Sequence, residues 1–126
     1  MPKVELPSLP NPDFREVRDL RCEDLQAFLQ AHGASELALI DVRQPEEFVG
    51  ELGHIPGSEL WVLSTLPERI DELPRDRDIV FICRSGGRSA QAAAYVQHFE
   101  IQRCFNLQGG MIRWNNLGYP TDTSPA

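Results

Sequence analysis

Ile79-Val80-Phe81-Ile82 is an uninterrupted apolar run that ends directly on a thiol, Cys83, and the residues after it, Arg84-Ser85-Gly86-Gly87-Arg88-Ser89, lead into the alanine-rich stretch Ala90-Gln91-Ala92-Ala93-Ala94. A short run this apolar, bounded by turn residues, is a strand covered on both faces. Closely spaced alanines favour a helix that packs tightly on its support. The segment therefore predicts a strand, a loop and a helix, with Cys83 at the carboxyl end of the strand. Two glycines let the loop turn backbone N–H groups inward, and the start of the following helix adds partial positive charge at the same point. Arg84 and Arg88 add full charges, so the surroundings of Cys83 favour a thiolate near neutral pH. The competing reading, an inert buried cysteine beside an ordinary glycine turn, explains the thiol but not its company.

The rest of the chain repeats the alternation of strand and helix. Val17 to Leu20 predicts a short strand, and Leu25, Phe28 and Leu29 share one face of a helix that starts with a poor cap at Arg21-Cys22 and stops near Gly33. Leu37-Ala38-Leu39-Ile40-Asp41-Val42 reads as a second strand buried on both faces, with Asp41 and Arg43 at its end. Pro45-Glu46-Glu47-Phe48 predicts a short helix with proline in its first turn. A turn at Gly53-His54-Ile55-Pro56-Gly57 follows, then a short strand near Glu59 to Val62 and a helix with Leu66, Ile70 and Leu73 on one stripe, halted by Pro74. Beyond the cysteine loop the helix is expected to run from about Gly87 to Phe99. Gln102 to Leu107 predicts the last strand, and Gly109-Gly110 opens a helix with Met111, Ile112 and Trp114 that ends near Gly118. Such alternation implies an α/β domain with a mostly parallel sheet and helices on both faces, whose ligands bind at the carboxyl ends of strands.

At 126 residues the chain suits one domain. Its expected parts are an extended proline-rich arm over 1–16, a domain over 17–120 and a tail over 121–126. With 12 basic and 19 acidic residues, a formal net charge of −7, it lacks the positive field a nucleic-acid partner would need. No apolar stretch approaches a membrane span and no signal segment opens the chain, so a cytoplasmic protein is expected. Three cysteines, Cys22, Cys83 and Cys104, lack metal-ligand spacing, so no metal is expected. Cys22 and Cys104 read as small core residues, with a resolving role toward Cys83 left open.

Five ordered elements, Leu39-Ile40-Asp41-Val42-Arg43, Glu47-Phe48, Gly53-His54-Ile55-Pro56-Gly57, the loop at 83–89, and Leu107-Gln108-Gly109-Gly110 with Trp114, together resemble the single-domain rhodanese family over roughly residues 17–120. The resemblance implies a rhodanese-like fold with a central, mostly parallel five-stranded sheet, and sulfur transfer through a cysteine persulfide without a cofactor. It implies Cys83 as nucleophile, with Arg84, Ser85, Gly86, Gly87, Arg88 and Ser89 forming the loop that holds the substrate. An arginine directly after the cysteine is similar to thiosulfate-using members, so a small anionic sulfur donor and a thiol, cyanide or protein acceptor are implied partners.

Asp41, Arg43 and His54 are expected to support the site. A charged pair at a strand end often only pins loops, with Arg43 pairing Glu47 as one arrangement. A histidine in such a turn more often anchors backbone than acts as a base. His32 and His98 read as surface or rim residues, and Trp61 and Trp114 as packing. Two other functions compete. A phosphatase or arsenate reductase of related fold places its arginine six positions after the cysteine, whereas Arg88 comes five after Cys83. A non-catalytic binding module, or a sulfur relay to a partner protein, is the remaining alternative.

Overall fold

The computed structural model describes residues 6–101 and 103–126. In chain order the strands are Leu9–Pro10 (β1), Arg18–Arg21 (β2), Leu37–Asp41 (β3), Glu59–Leu60 (β4), Asp78–Ile82 (β5) and Cys104–Gln108 (β6). The α-helices are Cys22–His32 (α1), Pro45–Phe48 (α2), Gly87–Val96 (α3) and Gly110–Asn116 (α4). They form an α/β domain around one sheet of order β1-β2-β6-β5-β3-β4. Every neighbouring pair is parallel except β1 with β2.

The sheet thus has six strands, not the five expected, because Leu9-Pro10 pairs antiparallel with Asp19 and Arg18. Proline cannot donate to a ladder, so an edge strand is the place it tolerates. Asn11 anchors this segment: its Oδ1 accepts the N–H of Asp13 and of Phe14, and its backbone N–H reaches the Val17 carbonyl at 3.1 Å. The expected arm therefore lies on the sheet edge from residue 9; its first five residues, and Gln102 at the expected start of the last strand, fall outside the described residues.

β3 and β5 are buried at every position, as their unbroken apolar sequences require. Alternation assigns their side chains to two cores. Ala38, Ile40, Ile79, Phe81 and Cys83 face α3 and the 63–72 segment, whereas Leu37, Leu39, Val80 and Ile82 face α1 and α4. Ala92 and Ala93 of α3 are completely buried, which brings that helix close to the sheet.

The stripe of Leu66, Ile70 and Leu73 is present, but Leu63–Glu72 winds as a 3₁₀ helix, not as the α-helix its spacing suggested. Pro67 lies inside it, and in an α-helix a proline ring would clash with the carbonyl four residues back. α1 starts after Arg21 without a side-chain cap and stops at Gly33 (φ 83°), as the sequence implies. The strand near 59 is confined to two residues.

Candidate active site

The site is built where β5 ends. The Val42 N–H bonds the Ile82 carbonyl at 2.9 Å, so β3 holds β5 up to the residue before the thiol. The next two carbonyls, of Cys83 and Arg84, accept the N–H groups of Met111 (2.9 Å) and Ile112 (3.0 Å) in the first turn of α4. Backbone groups that a helix start leaves without partners thereby clamp the loop. Gly110 makes this approach possible: at φ +55° a Cβ there would lie 2.5 Å from the Cys83 carbonyl oxygen.

Cys83 is 1% exposed, beneath a lip formed by exposed Arg84, Ser85 and Gly87. Gly86, in the left-handed region at φ 109°, caps α3 and turns its own N–H onto Cys83 Sγ at 3.1 Å. That residue needs to be glycine for this backbone angle. Among the described residues it supplies the one loop amide that donates to the sulfur. Ser89, fully buried, places its Oγ 3.2 Å from Sγ and 2.5 Å from Asn106 Oδ1. Asn106 in turn donates through Nδ2 to Asp19 Oδ1 at 2.9 Å, and Asn11 Nδ2 donates to the same oxygen at 2.8 Å. A polar line therefore runs from the sulfur through Ser89 and Asn106 to Asp19. Sequence reasoning missed Asn106 and Asp19; the available signal was a polar side chain at each point inside a strand otherwise due for burial.

The two arginines of the loop end up in different states. Arg84 is exposed, and among the described residues its guanidinium makes no hydrogen bond or ion pair. Arg88 is held from two sides by Glu47, Nη1 to Oε1 and Nη2 to Oε2, both at 2.8 Å. The hydrogen bonds from Arg88 pull the Glu47 carboxyl down to about 2, and Glu47 in turn raises Arg88.

Arg43 does not pair with the Glu47 carboxylate, as one arrangement had it. Its Nε and Nη2 clasp the Asp41 carboxylate at 2.9 and 2.8 Å, and its remaining N–H groups bond the carbonyls of Glu47 (3.2 Å) and Gly53 (2.7 Å). Asp41 is 0% and Arg43 1% exposed, so this is a fully buried pair that pins α2 and the Gly53 turn beside the loop. Asp41 and Arg43, two residues apart at a strand end, close on each other through two hydrogen bonds, which leaves the Glu47 carboxylate for Arg88. His54 Nδ1 donates to the Phe48 carbonyl at 2.8 Å and its ring stacks on Phe48 at 3.6 Å, the contacts of an anchor. Its backbone pairs with Asp122, which holds the chain end against this turn.

Cys22 and Cys104 are buried, and loss of water pushes their thiols up to about 11 and about 12. Cys22 faces the opposite core from Cys83. Cys104 pairs in register with Ile79, four residues before Cys83 and thus about 13 Å back along the strand. Neither is placed to resolve Cys83. Trp61 and Trp114 are core residues, 4% and 1% exposed. Among the described residues no cluster of His, Cys, Asp or Glu is arranged to hold a metal, and no helix is long and apolar enough to cross a membrane. An apolar groove of about 670 Å³ runs beside the loop, lined by Val42, Gln44, Leu63, Leu66, Arg88 and Tyr95 among others.

Known proteins resemble this chain in sequence and fold. The family model for the rhodanese-like domain matches residues 23–117. A sulfurtransferase of Allochromatium vinosum is 41% identical over 85 residues, covering 68% of this chain and 78% of that protein. The putative sulfurtransferase YtwF of Bacillus subtilis is 36% identical over 105 residues, covering 83% of this chain and 97% of that protein. A crystal structure of a rhodanese-related protein from Thermoplasma volcanium superposes with a TM-score of 0.74 at 27% identity, over 84% of this chain and 98% of that one.

Proposed function

The chain belongs to the rhodanese-like family and has the general role of a sulfurtransferase, and from that premise we propose that Cys83 carries sulfane sulfur, as a persulfide, from an anionic donor such as thiosulfate to a thiol, cyanide or protein acceptor. The Cys83 thiolate attacks the outer sulfur of thiosulfate. A new S–S bond forms, the donor's S–S bond breaks, and sulfite leaves with the electron pair and two negative charges. The persulfide anion remains on Cys83, where the Gly86 N–H and the Ser89 hydroxyl are the nearest donors to its charge. Arg84, exposed at the lip, receives the donor's oxygens. The acceptor then takes the outer sulfur and returns Cys83 to its thiolate.

The observation that carries this reading is the cupped sulfur: one inward amide and one buried hydroxyl converge on Sγ at 3.1 and 3.2 Å. Phosphoryl chemistry is served less well, since the guanidinium a phosphate would need is tied to Glu47. Three free cysteines suit a reducing compartment such as the cytoplasm. Incubation with thiosulfate followed by intact mass measurement tests the proposal. Wild-type protein should gain one sulfur atom and Cys83→Ser none; no gain in wild type with any sulfane donor would refute it.

A further inference from the structure

Of the two cations in the loop, one is neutralised before any donor arrives. Glu47 grips Arg88 at both carboxylate oxygens and also accepts the Gln44 N–H at 3.1 Å, closing the capping box of α2. The carboxylate is thus fixed by its own helix as well as by its partner. Its side chain is 27% exposed and that of Arg88 35%, so the pair stands at the wall of the site, within reach of entering solutes. Glu46, Glu51 and Arg84 line the shallow hollow on the Glu47 side, and the apolar groove lies on the Arg88 side.

We propose that Glu47 is a specificity-determining residue: by occupying Arg88 and adding its own negative charge to the wall, it biases the site toward sulfur donors of low charge and against dianions. Within the sulfur-transfer reading, on which this rests, the preferred donor carries a single negative charge and meets it with Arg84 alone. The remainder of such a donor is uncharged and suits the apolar groove.

Thiosulfate and methanethiosulfonate separate the idea cleanly, because they differ by one charge at nearly constant shape. With thiosulfate the Cys83 thiolate releases sulfite, a dianion; with methanethiosulfonate it releases methanesulfinate, a monoanion. Either way one sulfur joins Cys83 and one S–S bond is exchanged for another. The measurement is kcat/KM for each donor with cyanide as acceptor, together with intact mass after a single turnover.

Glu47→Gln retains the shape and the cap but removes the charge, and should raise the thiosulfate to methanethiosulfonate ratio roughly tenfold at low salt, less at high salt. Glu47→Asp, which keeps the charge, should leave the ratio within about twofold of wild type. An unchanged ratio in Glu47→Gln, or equal losses with both donors, overturns the assignment and makes Glu47 a structural partner of Arg88. If wild-type protein gains no sulfur from either donor, the transfer reading itself fails and this inference with it. Sulfur gain with an unmoved ratio sinks the inference alone.

Discussion

Ser89 has one hydroxyl proton and two acceptors in reach, Cys83 Sγ and Asn106 Oδ1. Asn106 Nδ2 donates to Asp19, so the amide presents its oxygen to Ser89 and competes for that proton. Once sulfur in the site bears a full negative charge, the charged acceptor has the stronger claim. Ser89→Ala should therefore lower kcat/KM for sulfur transfer roughly tenfold or more, the worth of one hydrogen bond to a charged group. It should also leave buried Asn106 Oδ1 without a donor, costing about 1–3 kcal/mol in urea unfolding. Full activity with reduced stability would show that the hydroxyl serves the fold and not the sulfur. Arg84 is read by its donor: Arg84→Gly should weaken thiosulfate use more than use of an organic persulfide, since the guanidinium serves the sulfonate charge. Equal losses in steady-state assays with the two donors would refute that role. At this scale the sequence shows the thiol, the glycines and both arginines, because their local spacing carries the chemistry. It hides which arginine is free, since Glu47 is 41 residues away from Arg88 and only the fold brings them together.

Helix α4 holds the loop through two backbone bonds, to the Cys83 and Arg84 carbonyls, and so shares the position of the sulfur with β5. Gly110 is the contact point. Gly110→Ala combines a left-handed backbone angle with a Cβ 2.5–2.6 Å from both carbonyl oxygens, and should destabilise the protein by roughly 2–4 kcal/mol. The denaturant midpoint measures this, and a loss below 1 kcal/mol would mean that α4 can shift without cost. The pair Gly109-Gly110 is visible in the sequence as a helix start, but its service to a loop 26 residues earlier is not, for the contact is between main chains. Elements β3, β5, α1, α3 and α4 are legible because apolar continuity or helical spacing is a local property that burial enforces. β1 is not, since two residues pairing at an edge have no periodicity to read. The 63–72 segment shows the limit of spacing alone: the stripe predicts which side chains are buried but not the kind of helix, which winds as 3₁₀ with Pro67 inside it.

Two opposing terms set how the whole molecule responds to acid. Seven excess negative charges at neutral pH repel one another, so mild acidification that begins to protonate free carboxylates should relieve strain and raise stability. Glu47 acts in the opposite sense. Its carboxyl falls from 4.5 to about 2 in the folded chain because Arg88 bonds it, so its contribution is fully present above 4.5 and is lost as pH falls through about 2. Asp122 and Glu23 are lowered as well, by hydrogen bonds from Ser124 and Arg113, so part of the surface network is lost over the same direction of change. Stability should therefore peak in mildly acidic solution, about pH 5–6, and decline below 4. The share owed to Glu47 follows from comparing Glu47→Gln with wild type across pH. Being partly exposed and screened, the ion pair should separate the two proteins by about 1 kcal/mol or less at pH 6, with the gap closing between pH 4.5 and 2. A gap that stays constant down to pH 2 would mean that Arg88 does not favour the ionised carboxylate. The control over donor charge assigned to Glu47 would then lack the electrostatic contact it requires.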